Sequence, residues 1–191
     1  MAVPELIQAL EAAFGLGIQK VRSVGGGDIA DSYLLNTGRG AVFAKLLYNP
    51  GGLEMLMAEK DGLEAIAGSK TLRVPGVLGC DSTSAGSCLL LEYIPTGPGS
   101  GGSYRALGRG LAQMHQVTAP ACGWTRPNYI GSLPQENTEL PEWPVFYVQK
   151  RLVPQYVMAR SRQLLSGGEI PGAAHMVDRV SSMVPDVVPS L

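Results

Sequence analysis

Charged residues are scarce in this chain of 191 residues. They make up 16% of it, below the usual quarter, whereas hydrophobic residues make up 45%. This balance excludes an intrinsically disordered protein, because the chain has enough apolar surface to bury a core. The 15 basic and 16 acidic residues leave a net charge of −1, and like charges form no run. A nucleic-acid partner is therefore not expected.

Long apolar runs are also missing. No stretch approaches the length that spans a bilayer, and the first residues lack the basic start and apolar core of a signal peptide. We therefore expect a cytoplasmic protein with no membrane partner. No pattern in the sequence indicates an oligomeric state.

Residues that form disulfides or bind metals are few. The three cysteines, Cys80, Cys88 and Cys122, form no C-x-x-C pair, and His115 and His175 stand apart from each other. An odd number of thiols without such pairs is typical of reduced, packed cysteines. We expect neither a disulfide framework nor a zinc site.

Hydrophobic periodicity predicts an α+β first half that contains five antiparallel strands. The predicted helices cover residues 4–14 and 53–67, and the second of them is expected to end at Gly68. The predicted strands cover residues 20–24, 32–35, 41–47, 74–78 and 88–94.

A loose connector, residues 95–102, follows the last of these strands. It is built from proline, glycine, serine and threonine, which offer little to a core. We place a domain boundary there, between an amino lobe, residues 1–94, and a helical second lobe, residues 103–191. Helical spacing predicts helices from Tyr104 onward, over 145–165 with an interruption at Pro154, and over 173–184.

Three consecutive glycines, Gly25, Gly26 and Gly27, separate the first two predicted strands. The dinucleotide fingerprint requires a helix after its glycines, whereas a strand follows here, and the Walker pattern requires a Gly-Lys-Ser/Thr that is absent. A glycine-rich hairpin that covers nucleotide phosphates, with a lysine on the next strand, agrees with the order of elements. The alternative is a plain hairpin turn.

Lys45 and Glu59 favour the phosphate-covering hairpin. Lys45 lies within an apolar strand and Glu59 on an apolar helix stripe, so each would be costly to bury without a partner. We predict that they form an ion pair in which Lys45 contacts the phosphates and Glu59 fixes its position. Alternatively, Lys45 extends to solvent at a strand edge and Glu59 lies at the rim of its stripe.

The end of the fifth predicted strand, Glu92-Tyr93-Ile94, precedes the connector. In a two-lobed kinase the backbone at this place binds the adenine edge. We therefore predict contacts from the Glu92 carbonyl and the Ile94 N–H, with Tyr93 between them. A buried edge strand without this role is the alternative.

These segments resemble the fructosamine kinase (ketosamine kinase) family, relatives of the aminoglycoside phosphotransferases with a protein-kinase-like two-lobe fold. The most specific stretch is Gly-Trp-Thr-Arg-Pro-Asn-Tyr-Ile-Gly-Ser-Leu-Pro-Gln, residues 123–135, and the resemblance extends over nearly the whole chain from Val21. It implies ATP and Mg²⁺ as cofactors. It also implies phosphorylation of a sugar hydroxyl of ketosamines, which are small molecules or protein-bound adducts.

Candidate substrate residues lie in and after that stretch. Asn128, Tyr129 and Gln135 belong to it, and Trp143 offers an aromatic face against which a sugar could stack. Turn structure and core packing explain the same residues equally well.

One departure from the family pattern concerns the catalytic loop. Family members carry a His-Gly-Asp-Leu-Trp-x-x-Asn segment and a later acid that binds magnesium, and residues 1–191 contain neither. We therefore expect the catalytic base and the magnesium ligands to lie outside this chain, which alone would be inactive. A noncatalytic nucleotide-binding or regulatory fragment is the second hypothesis.

Overall fold

The computed structural model describes residues 2–25, 29–165, 171–184 and 187–191. The chain divides into two compact units, Met1–Met114 and His115–Leu191. We call them the first unit and the second unit. Among the helices described, none combines the length and the apolar character needed to cross a membrane.

The first unit contains a five-stranded antiparallel sheet and three helices. Its helices are α1 (Val3–Phe14), α2 (Gly52–Ser69) and α3 (Gly101–Met114). Its strands are β1 (Ile18–Val24), β2 (Asp31–Thr37), β3 (Gly40–Leu47), β4 (Val77–Thr83) and β5 (Gly86–Glu92), in the order β1-β2-β3-β5-β4. The predicted α+β class and the five antiparallel strands are confirmed.

The sheet buries both faces because consecutive residues of its inner strands are apolar and the pleat directs them to opposite sides. On one face α1 packs in a core that includes Leu6, Leu10, Leu35, Ala44, Leu46 and Leu90. On the other face α2 packs in a core that includes Leu47, Leu56, Leu89 and Leu91. Consecutive residues of β3 therefore serve different cores, and the odd-numbered ones share the face of α2.

Several predicted boundaries in the first unit were wrong. Strand β5 covers Gly86–Glu92, whereas residues 88–94 were predicted. Helix α2 ends at Ser69 and not at Gly68, because Lys70 adopts the left-handed conformation that terminates it. Strand β4 covers Val77–Thr83, whereas residues 74–78 were predicted. The polar residues of this strand resemble a turn, but β4 is an edge strand, where polar side chains remain in solvent.

The connector is shorter in the structure than the sequence predicts. Helix α3 begins at Gly101, within the predicted connector 95–102, and α3 belongs to the first compact unit. A functional boundary at 95–102 stays a prediction.

The second unit begins with a short hairpin and continues with helices. Strands β6 (Asn128–Ile130) and β7 (Leu133–Gln135) pair through a turn in which Gly131 has a φ of 60°, a conformation suited to glycine. The helices are α4 (Trp143–Tyr147), α5 (Val153–Ser161) and α6 (Ala173–Met183), and a π turn, Val148–Leu152, joins α4 to α5.

An interruption at Pro154 was predicted, but the helical segment continues through this residue. Pro154 lies in the first turn of α5, directly after the π turn. Proline is tolerated there because the wider π turn removes the clash with the carbonyl four residues earlier.

Candidate functional site

Lys45 and Glu59 form a close ion pair in the first unit. Lys45 Nζ lies 2.7 Å from Glu59 Oε1 and 2.5 Å from Oε2. The side chains are 25% and 35% exposed, so water reaches the pair in part. The predicted pair is confirmed, and Lys45 does not extend to solvent without a partner.

The fold positions this pair through register. Lys45 lies opposite Ser32 on β2 and opposite Leu89 on β5, and Leu89 is fully buried. On α2, Glu59 follows the buried Leu56 by three residues, so both lie on the side of the helix that faces the sheet. The charged pair therefore lies next to the buried Leu89 of the sheet and Leu56 of α2.

The glycine loop begins at the end of β1, which β2 separates from Lys45 on β3. Val24 pairs with Ser32, which in turn pairs with Lys45, so Gly25 starts two strand spacings, about 10 Å, from the lysine. Gly25 itself is exposed. Gly26 and Gly27 lie outside the described residues.

The end of β5 combines a tethered side chain with an open backbone. The Glu92 carboxylate accepts hydrogen bonds from the Gly76 N–H (3.2 Å) and from Arg73 Nη2 (2.7 Å), which hold the pKa of Glu92 below its usual range. Tyr93 and Ile94 follow the strand and are half-buried. Among the described residues, none accepts a hydrogen bond from the Ile94 N–H.

The candidate substrate residues all belong to the second unit. Asn128 and Gln135 are paired across the β6–β7 hairpin, and Tyr129 lies opposite Pro134. Trp143 stacks on Tyr147, with ring centroids 4.8 Å apart and planes 8° from parallel. Tyr147 therefore covers one face of the Trp143 ring.

Sequence patterns did not reveal a polar network at the base of this hairpin. Asn137 is 2% exposed, and its Nδ2 donates to the Arg126 carbonyl (3.0 Å) and to Asn128 Oδ1 (2.9 Å). Arg151 Nη2 donates to Asn137 Oδ1, and Nη1 donates to the Glu136 carbonyl (2.8 Å). An asparagine in a polar loop carries no periodic signal, so only spatial proximity identifies it.

The electrostatics of Arg151 reflect its partial burial. Its guanidinium lies over the ring of Phe146, 4.8 Å from the centroid, and burial lowers the pKa of Arg151. Lys150, its neighbour on the π turn, forms a separate ion pair with Glu136 at 2.7 Å. Arg151 nevertheless stays protonated near neutral pH, because the ordinary pKa of a guanidinium is very high.

The described residues do not provide a metal site. In the ranges that the structure covers, histidine, cysteine, aspartate and glutamate form no group of three or more that could hold a metal ion.

Comparison with known proteins identifies relatives along the whole chain. The family model "Fructosamine kinase" matches residues 2–191. "Probable ketoamine kinase slr1563" of Synechocystis is 38% identical over 175 residues, which are 91% of this chain and 57% of the relative. "Protein-ribulosamine 3-kinase, chloroplastic" of Arabidopsis thaliana is 38% identical over 148 residues, 76% of this chain and 45% of the relative.

Solved structures share the fold. A "putative fructosamine-3-kinase" of Thermobifida fusca, 26% identical, superposes with a TM-score of 0.79 over 98% of this chain and 64% of its own. A spectinomycin phosphotransferase, APH(9)-Ia, solved with ADP and spectinomycin, is 19% identical and has a TM-score of 0.51 over 63% of this chain and 39% of its own. The predicted protein-kinase-like fold is confirmed.

The chain spans about half the length of the curated relatives that it matches, from 45% to 57% in the two named above. Within that span the family model covers all but the first residue. The chain belongs to the fructosamine kinase family.

Proposed function

We propose that this chain supplies the nucleotide-binding part, and a section of the substrate-binding part, of an ATP-dependent ketosamine kinase. In this reaction a sugar hydroxyl oxygen of a fructosamine or ribulosamine bonds to the γ-phosphorus of ATP. The bond from that phosphorus to the bridging oxygen breaks, ADP leaves, and the hydroxyl proton is released. The names of the Synechocystis and Arabidopsis relatives support this substrate class.

The observation that carries the proposal is the Lys45–Glu59 pair. A lysine held by both carboxylate oxygens, partly exposed to water and in register with Ser32 and Val24, is suited to binding phosphate oxygens. Lys45 would contact the α- and β-phosphates of ATP, and Glu59 would hold its ammonium group in place. Gly25, Gly26 and Gly27 would cover the phosphates with backbone N–H groups.

Adenine would bind at the end of β5. The Ile94 N–H and the Glu92 carbonyl are the donor and acceptor that an adenine edge requires, and Tyr93 lies between them. The Glu92 carboxylate is engaged by Arg73 and Gly76, so only the backbone of Glu92 takes part. This arrangement favours adenine over guanine, whose edge presents different groups.

The ketosamine would bind at the second unit, through Asn128, Tyr129, Gln135 and Trp143. Free and protein-bound ketosamines share the sugar that these residues would contact. Mg²⁺ would accompany ATP and neutralise its phosphates. We place the activity in the cytoplasm, where the three free cysteines would remain reduced.

A second candidate is a noncatalytic nucleotide-binding module. It needs only the nucleotide-binding features of the first unit, among them the Lys45–Glu59 pair. Such a module would bind ATP without transferring its phosphate.

A fusion protein separates the two candidates. This chain replaces the segment that it matches in the Synechocystis relative, and the fusion is incubated with ATP, Mg²⁺ and either fructosyl-lysine or ribulosyl-lysine. We expect ADP release together with a ketosamine heavier by one phosphoryl group. Nucleotide binding by a folded fusion that phosphorylates no ketosamine would contradict the kinase proposal and support the module.

A further inference from the structure

The Asn137 side chain connects the β6–β7 hairpin to the π turn. Its amide has two donors and one oxygen, and each of these has a partner: the Arg126 carbonyl, Asn128 Oδ1 and Arg151 Nη2. The residue is 2% exposed, so water does not compete for these bonds. A buried amide with complete hydrogen bonding has a fixed orientation.

The chemistry of the partners determines that orientation. A guanidinium can only donate and a carbonyl can only accept, so Arg151 must face Asn137 Oδ1 and the Arg126 carbonyl must face Asn137 Nδ2. The remaining Asn137 N–H then donates to Asn128, which must present its oxygen. Asn128 consequently turns its own Nδ2 group, two N–H donors, away from the network.

Arg151 is itself held firmly. Lys150 O lies four residues before Pro154, which has no N–H to donate to it, and Arg151 Nη1 donates to this carbonyl instead, at 2.9 Å. The same nitrogen donates to the Glu136 carbonyl, and the guanidinium lies over the Phe146 ring. The hydrogen bonds from Arg151 to Asn137 and from Asn137 to Asn128 form a chain that we call the relay. The π turn holds Arg151, the donor that sets the direction of this relay.

The hairpin needs this anchor. Each of its strands has three residues, and within the described residues β6 and β7 pair only with each other. An isolated two-stranded hairpin is marginally stable, so its position depends on contacts at its base. Among the described residues, Asn128 Nδ2 has no hydrogen-bond partner, and Asn128 is half-buried.

We propose that Arg151 and Asn137 are positioning residues that orient the Asn128 amide, so that its Nδ2 group donates to an oxygen of the ketosamine. This inference rests on the proposed function and specifies it, because it assigns a donor of fixed direction to a substrate oxygen. An aspartate at position 128 would accept the bond from Asn137 equally well but would present an acceptor to the substrate.

Kinetics of the fusion protein test the assignment. Asn128→Asp retains the size and the inward acceptor, and we expect the ketosamine KM to rise about tenfold or more while the KM for ATP stays unchanged. Arg151→Met, which keeps the length but removes every donor, should raise the ketosamine KM similarly. Arg151→Lys should restore it in part, since an ammonium lacks the planar fork that reaches two acceptors.

Lys150→Met is the matched control. It removes the neighbouring ion pair with Glu136 on the same π turn but leaves the relay intact, so the ketosamine KM should stay within about twofold. An unchanged ketosamine KM in Asn128→Asp would overturn the proposal. A lower melting temperature in Arg151→Met without a change of KM would reduce Arg151 to a structural role and overturn it as well.

The relay can also be measured without turnover. In the 191-residue chain, side-chain amide exchange followed by NMR should be slow at Asn137 and should become fast in Arg151→Met. Fast exchange at Asn137 in the unmodified chain would contradict the relay. A fusion that phosphorylates no ketosamine, with slow exchange at Asn137, would instead refute the proposed function and the ligand assignment while the relay stands.

Discussion

Lys45 Nζ contacts both carboxylate oxygens of Glu59, so a residue of β3 is tied to a residue of α2 that lies 14 positions later. Both side chains remain partly exposed, and ion pairs that water reaches contribute little to stability because solvent weakens their attraction. The Lys45–Glu59 pair is therefore not expected to be a main source of the stability of the first unit.

We predict that Lys45→Ala in the fusion protein lowers kcat/KM with the ketosamine on the order of a hundredfold, because a preorganised positive charge at the phosphates is lost. The free energy of unfolding should change by about 1 kcal/mol or less. The measurements are ADP release and urea denaturation.

The matched control for this prediction is Lys60→Ala. Lys60 lies on α2 one position after Glu59, and its Nζ is 3.8 Å from Glu64. Its loss should leave kcat/KM unchanged. Equal activity of Lys45→Ala and the unmodified fusion would show that Lys45 binds no phosphate.

Gly110 should not tolerate alanine. It is buried in α3, and a Cβ there would lie 2.6 Å from Leu72 Cδ2 and 2.7 Å from the backbone oxygen of Thr71. The carbonyl cannot move without displacing the chain, so Gly110→Ala should destabilise the first unit by about 1–3 kcal/mol. Urea denaturation followed by far-UV circular dichroism measures the change.

Gly108 provides the control on the same helix. A Cβ there would meet nothing within 4 Å beyond the backbone of its own helix, and alanine has a higher helix propensity than glycine. Gly108→Ala should therefore stabilise the first unit by up to about 1 kcal/mol. Both tryptophans, Trp124 and Trp143, belong to the second unit, so their fluorescence gives an internal reference. Similar effects of the two substitutions would show that α3 does not pack closely at Gly110.

Much of the first unit could be predicted because its signals are local. Short runs of strand-forming residues between turns indicated the strands. A lysine and a glutamate within apolar patterns indicated the ion pair, since each would be costly to bury alone. The position of the edge strand β4 was predicted wrongly because its polar side chains, which water can solvate at the edge of the sheet, resemble those of a turn.

The second unit was harder to predict because its organisation depends on contacts between distant residues. Asn137 and Arg151 are separated by 14 positions, and neither breaks a periodic pattern. The hairpin strands are too short for alternation to be recognised. A proline usually interrupts a helix, but Pro154 follows a π turn and lies in the first turn of α5, where proline is tolerated.

Replacing Lys70 by glycine should stabilise the first unit. Lys70 terminates α2 with a φ of 57°, a left-handed conformation that strains any residue with a Cβ. Lys70→Gly should raise the free energy of unfolding by about 1 kcal/mol. Lys70→Ala is the control and should bring no gain, because alanine keeps the Cβ. An equal gain in both variants would attribute the effect to the lost charge.

The turn between α1 and β1 should become weaker in acid. The Glu11 carboxylate accepts hydrogen bonds from the Ile18 N–H and the Gly17 N–H, the latter at 3.1 Å, and these bonds lower the pKa of Glu11 from its ordinary 4.5. A depressed folded-state pKa stabilises the fold above the unfolded-state pKa, and this contribution disappears as the pH falls through the folded-state value.

We expect the unmodified chain to be more stable than Glu11→Gln at neutral pH. The difference should shrink as the pH falls below 4.5, because the protonated acid then resembles the amide. Urea denaturation of both chains between about pH 7 and about pH 3 measures this difference. A difference that stays constant over this interval would mean that the ionised carboxylate contributes nothing beyond its shape.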